Sequence, residues 1–542
     1  MALGSQRKSS HVWSQVPSLS RKRSQFDQAH GHKTTFDSGY LIPFYVQEVM
    51  PGDSHRVSAN MFARLATLQK PIMDNLYMET QFFFVPCRLV WDNWERMWGA
   101  QDNPGDSTDY LVPAITDIGP VVENTLFDYL GIPLGVTGLS VNALPLRCIN
   151  LIYNEWYRDE NLQDSVVEER GDSDTAANYT LLRRGKRHDM FTSALPFPQK
   201  GPEVLMPLAG TVPVRRLVSG DAGYVDGVPK WSFAGGADTN AIADFAGVNL
   251  SAAVAQTPFS AMAWGTSTQL AADLSGLGAS ASINDLRQAI VVQQFYELLA
   301  RGGSRYTEML QAVFGVSNGD ARLQRPEYLG GGRTNIFVNP VVNTTGLNAI
   351  DPAYPSQGDL AGYGVGSATG QNHGFSKSFT EHGYIIGFCS VRADLNYQQG
   401  LERFWSRRTK FDFPIPHFAH LGEQAVLNKE IFAQGPAVLN PGGTPVDDDA
   451  FGYVGRYDDC RYRPNKITGS FRSTAATSLD IWHLAQDFAT LPTLSAAFIV
   501  EDPPVDRIIS VPTEPQLLLD TWIQQHSVRE LPTWSVPGVR RI

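Results

Sequence analysis

The sequence has few cysteines, few charged residues and no long hydrophobic run. Four cysteines in 542 residues, none in a CxxC pair, do not make a disulfide framework. No stretch reaches the roughly 18 apolar residues that cross a bilayer, and no apolar segment follows the basic N-terminus as in a secretory signal. We therefore expect buried free thiols, no membrane insertion, and synthesis in a reducing cytoplasm.

The composition favours a mainly β protein with many short strands and long loops. Charged residues make up 18%, below the roughly 25% of an average domain, whereas aromatic residues reach 11%. Residues 36–46, 76–85 and 383–392 have the aromatic and β-branched content of strands, with Pro43 and Pro86 expected at strand ends or edges. Apolar spacing predicts helices near residues 90–99, 144–158, 282–301 and 306–314.

One long segment differs from the rest in composition. Between residues 217 and 282, 36 of 66 residues are Ala, Gly, Ser or Thr, and six are charged. We interpret it as an insertion with its own loose strands or as a long surface excursion, because structureless loops of this length are rare in compact domains. The glycines of residues 358–366 predict a second excursion, and those of residues 330–332 predict turns in a loop.

Charge is distributed unevenly along the chain. Residues 1–33 hold six Lys and Arg against one Asp, a net charge of +5, and the remainder carries −16. The basic segment is poor in large apolar residues, so we expect it to lack its own fold. It is either a solubilising tail or an arm that neutralises phosphate without reading sequence.

Known catalytic and metal-binding motifs are absent from the sequence. There is no G-x-S-x-G elbow, Walker A loop, H-E-x-x-H helix or dinucleotide fingerprint. His30 with His32, and His417 with His420, lack nearby Cys or carboxylate residues to complete a metal site. The acidic run at residues 447–449 lacks calcium-loop spacing and is interpreted as a solvated turn. We predict no catalytic residue, no metal and no cofactor.

Two internal clusters are candidates for contact with nucleic acid. Residues 183–188 concentrate four fixed positive charges, and residues 404–411 interleave basic and aromatic side chains, which suits single-stranded nucleic acid. Alternatively, the aromatic side chains are core residues and the charges are solvated or paired with acids. The nucleic-acid candidates, including those of the arm, are Arg7, Lys8, Arg21, Lys22, Arg23, Lys33, Arg183, Arg184, Lys186, Arg187, Arg407, Arg408 and Lys410.

Ordered blocks along most of the chain resemble the major capsid protein of the Microviridae, the small single-stranded DNA phages, and most closely their gokushovirus branch. The clearest blocks are MFARLAT at 61–67, FFFVP at 82–86, ARGGSRYTE at 300–308, RPEYLGGG at 325–332, HLGEQAVLNKE at 420–430 and WHLAQDF at 482–488. Shorter matching blocks lie at residues 73–77, 88–94, 286–289, 392–395, 397–402 and 503–507. The blocks span most of residues 36–512.

The resemblance implies an eight-stranded antiparallel jelly roll of the viral capsid type, with long inter-strand loops, several short helices and a large insertion. It also implies a T=1 icosahedral shell of sixty copies, built through pentamers around a circular single-stranded DNA genome. Further implied partners are an internal scaffolding protein, a minor capsid or DNA pilot protein, and a host surface receptor reached by the insertion. The expected location is the virion, assembled in the cytoplasm of a bacterial host.

The resulting expected organisation has five parts. They are a basic, interior-facing arm at 1–35, jelly-roll segments at 36–201 and 284–520, a threefold protrusion candidate at 202–283, and a C-terminal tail at 521–542. The competing hypotheses are a large β-sandwich enzyme acting on carbohydrate, with scattered carboxylates, and a nucleic-acid-binding enzyme. The acidic total charge and the missing nucleotide and metal motifs disfavour the second of these.

Overall fold

The computed structural model describes residues 23–116, 118–202, 204, 214–216, 231–233, 262–264, 270–272, 283–301, 312–313, 323–342, 360–368 and 373–534. Ten strands form the main sheet, and all of their pairings are antiparallel. In chain order they are β1 (Ser24–Asp27), β2 (His30–Phe36), β3 (Ile42–Val49), β4 (Ser54–Leu65), β5 (Leu76–Pro86), β6 (Glu327–Val342), β7 (Leu360–Ala368), β8 (Gly374–Ser378), β9 (Gly383–Ala393) and β10 (Leu517–Arg529).

The strands divide into two sheets with the connectivity of a jelly roll. In the first sheet, β2 pairs with β10, β10 with β4, and β4 with β7 and β8, while β1 continues the β2 edge. In the second sheet the order is β3, β9, β5, β6. The chain crosses between the sheets after β2, β3, β4, β6, β8 and β9, and pairing of β6 with β7 joins the sheets along one side. This confirms the expected mainly β jelly-roll architecture.

A shared core lies between the two sheets. Phe82 of the second sheet and Phe375 of the first have ring centroids 5.3 Å apart, and Leu517, Leu519 and Ile523 of β10 join the same cluster. The second sheet is also covered on its other face, where Phe83, Val85 and Phe388 pack against the segment after β5. The buried Trp91 and the first turns of helix α3 belong to this second cluster.

Six α-helices occur among the described residues: α1 (Trp94–Met97), α2 (Leu126–Tyr129), α3 (Leu144–Ile152), α4 (Ile283–Arg301), α5 (Asn428–Ile431) and α6 (Ala496–Ile499). The prediction at 144–158 is confirmed, with α3 continuing into a π turn at Tyr153–Tyr157. The prediction at 90–99 is too long, because Trp91 is buried before α1 begins. The predicted capping box at Ser282, the glycine stop after α4 and most of the predicted helix at 306–314 lie outside the described residues.

The chain clusters into two compact units, residues 1–198 with 299–542, and residues 199–298. Taken by itself, the second unit contains two antiparallel strand pairs nested in sequence, Val214–Arg216 with Leu270–Ala272 and Trp231–Phe233 with Met262–Trp264. These pairs lie in the segment expected to be an insertion with loose strands or a surface excursion, and its role as an insertion stays a prediction. Other short pairs are Ala114–Ile115 with Val141–Asn142 and Glu423–Leu427 with Ala450–Gly455.

Four expectations need correction. Residues 24–27 and 30–36 are strands of the first sheet, so the basic segment is not without fold there. Residues 521–529 form most of β10 instead of a tail. Residues 360–366 lie in β7, and residues 330–332 lie in β6 beside a β-bulge, so neither glycine run is a loop. The glycines mark close backbone approach, since a Cβ at Gly364 would lie 2.8 Å from the Leu65 Cβ.

The expected positions of the two prolines are confirmed. Pro43 lies in β3, at the end of the described sheet order, beside a register shift opposite Phe388. Pro86 is the last residue of β5. A proline lacks the backbone donor that an interior strand needs, so both positions leave the hydrogen-bond ladder intact.

Candidate functional site

The basic segment at 183–187 lies against one end of the second sheet. Arg184 N donates to Gly39 O at 2.8 Å, and Lys186 N donates to Ile499 O at 2.7 Å. Glu501 N returns a bond to Arg184 O at 2.8 Å. The segment is therefore held on both sides by main-chain hydrogen bonds, which orient its side chains toward the sheet.

Two arginines of this segment and one arginine of the sheet converge on the carboxylate of Glu79. Arg184 and Arg392 each place a guanidinium nitrogen 2.6 Å from Glu79 Oε2, and Arg187 lies 3.6 Å from Oε1. Burial raises the pKa of Glu79, but the three arginines outweigh burial and hold that pKa below its ordinary value. Arg187 also pairs with Asp394 at 2.8 Å. We call Glu79, Arg184, Arg187, Arg392 and Asp394 the buried ion cluster.

The other two cations of the segment also have partners within the subunit. Arg183 pairs with Asp502 at 2.7 Å and lies 4.3 Å from the centre of the Tyr40 ring. Lys186 is buried, with its Nζ 4.6 Å from the Phe498 ring centre, and burial lowers the pKa of its ammonium group. These contacts match the alternative in which the charges pair with acids and support the fold. Contact of Arg183, Arg184, Lys186 and Arg187 with nucleic acid stays a prediction.

The second basic cluster is partly paired and partly exposed. Arg407 forms an ion pair with Asp459. Arg408 and Lys410 are exposed, as are the aromatic side chains of Trp405 and Phe411. Lys410 Nζ lies 4.8 Å from the Phe411 ring centre. Arg408 and Lys410 can reach a phosphate without unfolding the subunit, whereas Arg407 must leave a carboxylate to do so.

An open cavity of about 710 Å³ adjoins this cluster. Its wall is rich in cations, but Arg403 pairs with Glu430 at 3.2 Å and Lys466 with Glu402. Arg461 likewise pairs with Asp458. Most of its positive charge is therefore balanced within the subunit.

The N-terminal candidates divide at the start of the described chain. Arg7, Lys8, Arg21 and Lys22 lie outside the described residues. Arg23 lies 3.9 Å from Glu530, and Lys33 in β2 lies 3.3 Å from Asp520 in β10. Both ion pairs are exposed, so both cations remain accessible to a larger anion.

The described residues offer little for catalysis or metal binding. No group of three or more His, Cys, Asp or Glu that could hold a metal ion occurs in the described part of the chain.

Three cysteines are buried as expected, and burial raises the thiol pKa of Cys87 and Cys389 to about 12. Cys460 is exposed, contrary to expectation. Among the described residues, no helix is long and apolar enough to span a membrane.

A Ser–His–Asp arrangement is present, but it is sealed from solvent. His55 Nδ1 lies 2.9 Å from Ser527 Oγ, and His55 Nε2 lies 3.3 Å from Asp53 Oδ2. Asp53 also pairs with Arg529 at 3.1 Å, and the three triad side chains are at most 1% exposed. Burial lowers the pKa of His55. The arrangement joins β4 to β10 and leaves a substrate no access.

Sequence reasoning missed a set of exposed residues on the first sheet. Phe62 and Arg64 of β4, and Trp522 of β10, point away from the core. Burial alternates along β10, but its sequence does not alternate between apolar and polar residues, so no local pattern marked the outward positions. Arg56 and Arg64 form no basic cluster in the sequence, because other residues of β4 separate them. They share a face only because both occupy outward positions of the same strand.

Comparison with known proteins relates the whole chain to phage capsid proteins. Residues 14–539 match the family described as Capsid protein (F protein). The chain is 45% identical to the capsid protein VP1 of Bdellovibrio phage phiMH2K over 99% of both chains, and 43% identical to that of Chlamydia phage 1 over 98% of both. It is 34% identical to the capsid protein VP1 of Spiroplasma virus 4 over 94% of both.

Proposed function

The chain belongs to the phage capsid protein (F protein) family, and from this premise we propose that it builds a T=1 shell of sixty copies around a circular single-stranded DNA genome. Its role is structural and non-enzymatic, as a self-associating subunit of the virion. The observation that carries the proposal is a match over residues 14–539 in a chain whose strands have jelly-roll connectivity. Pentamers are the proposed assembly intermediates.

The subunit has the surface that shell formation needs. Residues 87–326 and 394–516 connect successive strands, and they carry exposed large side chains such as Trp405, Phe411 and Phe413. Burying such surface between copies provides a hydrophobic driving force for assembly. In the proposed particle these connections form most of the contacts between subunits.

Electron microscopy and sizing of the purified full-length chain test the assembly proposal. We expect closed particles or pentamers, and nucleic acid extracted from nuclease-treated particles should be degraded by a single-strand-specific nuclease. A stable monomer under all assembly conditions would contradict the shell, and extracted duplex DNA or RNA would contradict the genome type. We further propose assembly in the bacterial cytoplasm, with an internal scaffolding protein and a DNA pilot protein as partners.

We propose that residues 202–283 form a surface protrusion at the threefold axis that contacts a host receptor. The support is a separate compact unit at 199–298 with its own strand pairs. Replacing residues 217–282 by a short flexible linker should preserve particle assembly and abolish adsorption to host cells. Adsorption equal to that of the wild-type particle would contradict the role in attachment.

A further inference from the structure

The outer face of the first sheet is open where the second sheet is covered. Along β10, residues from Leu517 to Ser527 alternate between buried and exposed positions, and the exposed ones face away from the shared core. Register places exposed residues of β2, β10 and β4 in rows across the sheet. We call this surface, made by the outward residues of these three strands, the outer face.

Two aromatic side chains occupy its centre. Trp522 is 51% exposed and Phe62 is 48% exposed. Trp522 lies opposite Asn60, and Phe62 lies opposite Asp520, so the two residues are diagonal neighbours whose Cα atoms lie roughly 7–8 Å apart. Gly31 stands opposite Trp522, and a Cβ there would lie 3.5 Å from the indole. Because Gly31 has no side chain, no neighbouring side chain from that position rises beside the indole. We call the exposed rings of Trp522 and Phe62 the aromatic platform.

Two arginines flank this platform. Arg56 and Arg64 lie at either end of β4, roughly 26 Å apart at about 3.3 Å a residue. Both are exposed, and neither forms an ion pair with a described residue. The acids of the face have partners, since Asp520 pairs with Lys33 at 3.3 Å and Asp27 lies 3.9 Å from His526. A chain of net charge −11 thus leaves two arginines without a carboxylate partner here.

The sequence that precedes β1 is basic. Residues 1–22 contain four Lys and Arg and no Asp or Glu. They lead directly into Arg23 and β1, which pairs with the end of β10. The described chain therefore begins at the edge of the first sheet.

We propose that the outer face of the first sheet binds single-stranded DNA, with Trp522 and Phe62 stacking on bases and Arg56 and Arg64 contacting phosphates. Exposed aromatic residues flanked by cations are how proteins hold unpaired strands without reading sequence. A protein partner fits less well, because Lys33 and Asp520 lie in the row next to Trp522 and interface cores are depleted in Lys and Asp. The inference rests on the proposed single-stranded DNA genome, and it places this face toward the interior of the shell.

Binding of fluorescein-labelled oligo(dT) by the unassembled full-length chain, measured by anisotropy over a salt series, tests the site. Combined Trp522→Ala and Phe62→Ala should weaken binding by roughly 5-fold to 150-fold for each ring that stacks. Combined Arg56→Gln and Arg64→Gln should reduce the slope of log K against log salt by about 1.4. Trp98→Ala and Arg287→Gln, exposed residues elsewhere, are the matched controls and should change neither quantity.

A second measurement uses assembled particles. Ultraviolet cross-linking of particles that contain bromodeoxyuridine-substituted genome should label peptides from β4 and β10. If the wild-type chain binds oligo(dT) and the two combined outer-face variants match it, the site is wrong and the genome proposal stands. If the wild-type chain binds no oligo(dT) and its particles hold no single-stranded DNA, the proposed function itself fails. Variants that bind normally but do not assemble would make the face a contact between copies and overturn the inference.

Discussion

The two sheets of the jelly roll differ in whether both of their faces are covered. Ten of the eleven residues of β9 in the second sheet are buried, because the shared core covers one face and the segment after β5 covers the other. In the first sheet β10 alternates, with one face open. Arg184, Arg187 and Arg392 at the second sheet are held by Glu79 and Asp394. In contrast, Arg56 and Arg64 of the first sheet have no carboxylate partner among the described residues. The layer that covers a sheet, and not the density of charge in the sequence, decides whether a cation is available to a ligand.

The largest expected effect comes from removing the centre of the buried ion cluster. Glu79→Gln leaves the buried Arg184 and the largely buried Arg392 beside a neutral amide. Removing one partner of such a cluster costs about 3–5 kcal/mol of unfolding free energy. Urea unfolding of the unassembled subunit measures the change. Glu123→Gln, at an exposed position, is the matched control and should stay within about 0.5 kcal/mol. A loss below about 1 kcal/mol for Glu79→Gln would break the contrast between the sheets.

A smaller effect is expected where the inner face of the first sheet is tightest. Gly364→Ala places a Cβ 2.8 Å from Leu65 Cβ and 3.3 Å from Ile336 Cγ2, and overpacking of this kind costs about 1–3 kcal/mol. Gly31→Ala on the outer face meets only an ordinary 3.5 Å contact and should leave thermal stability unchanged or slightly raised. Equal melting temperatures for the two variants would contradict the difference in packing between the faces.

The buried ion cluster also predicts a dependence on pH. Because the folded-state pKa of Glu79 lies below its ordinary value of 4.5, the stabilisation by its carboxylate is complete above that value and is lost as pH falls toward the folded-state pKa. The stability difference between wild type and Glu79→Gln should therefore shrink in acid. Unfolding curves for both proteins, collected from neutral pH down to pH 3, measure it. A difference that grows on acidification would reverse the sign of the proposed charge interaction.

The smallest expected effect on stability belongs to the outer face. Combined Arg56→Gln and Arg64→Gln should change the unfolding free energy by no more than about 0.5 kcal/mol, since neither arginine has an ion-pair partner among the described residues. Calorimetry of the unassembled subunit provides the measurement. A loss above about 1 kcal/mol would show that these arginines support the fold, as Arg184 does, and would remove the contrast.

Local patterns predicted the elements that carry a strong periodicity. The strands at 76–85 and 383–392 and the helix at 144–158 were predictable, because aromatic and β-branched runs or a helical apolar stripe mark them. The strand at 360–368 was not predictable, because its alternating glycines are typical of a loop. Only the folded structure shows that Leu65 and Ile336 lie close to this strand and leave no room for larger side chains. The tail prediction at 521–542 failed for a similar reason, since only pairing with β2 and β4 makes β10 an interior strand.

The candidate site was predictable only in part. Arg408 and Lys410 lie exposed beside aromatic residues, as an interface with nucleic acid requires, but Arg184 and Lys186 are buried. Charge density along the chain cannot distinguish these cases, because a carboxylate 105 positions away, Glu79, neutralises Arg184. Conversely, Arg56, Arg64 and Trp522 share one face only through the register of β4 with β10.

By itself the sequence determined the class of the protein: a mainly β chain and, through ordered blocks along its length, a capsid subunit. These properties depend on composition and on local runs, which the chain carries before it folds. Only the tertiary structure decided which cations pair with carboxylates inside the subunit and which face outward. Burial and ion pairing depend on residues hundreds of positions apart, and the two sheets bring those residues together.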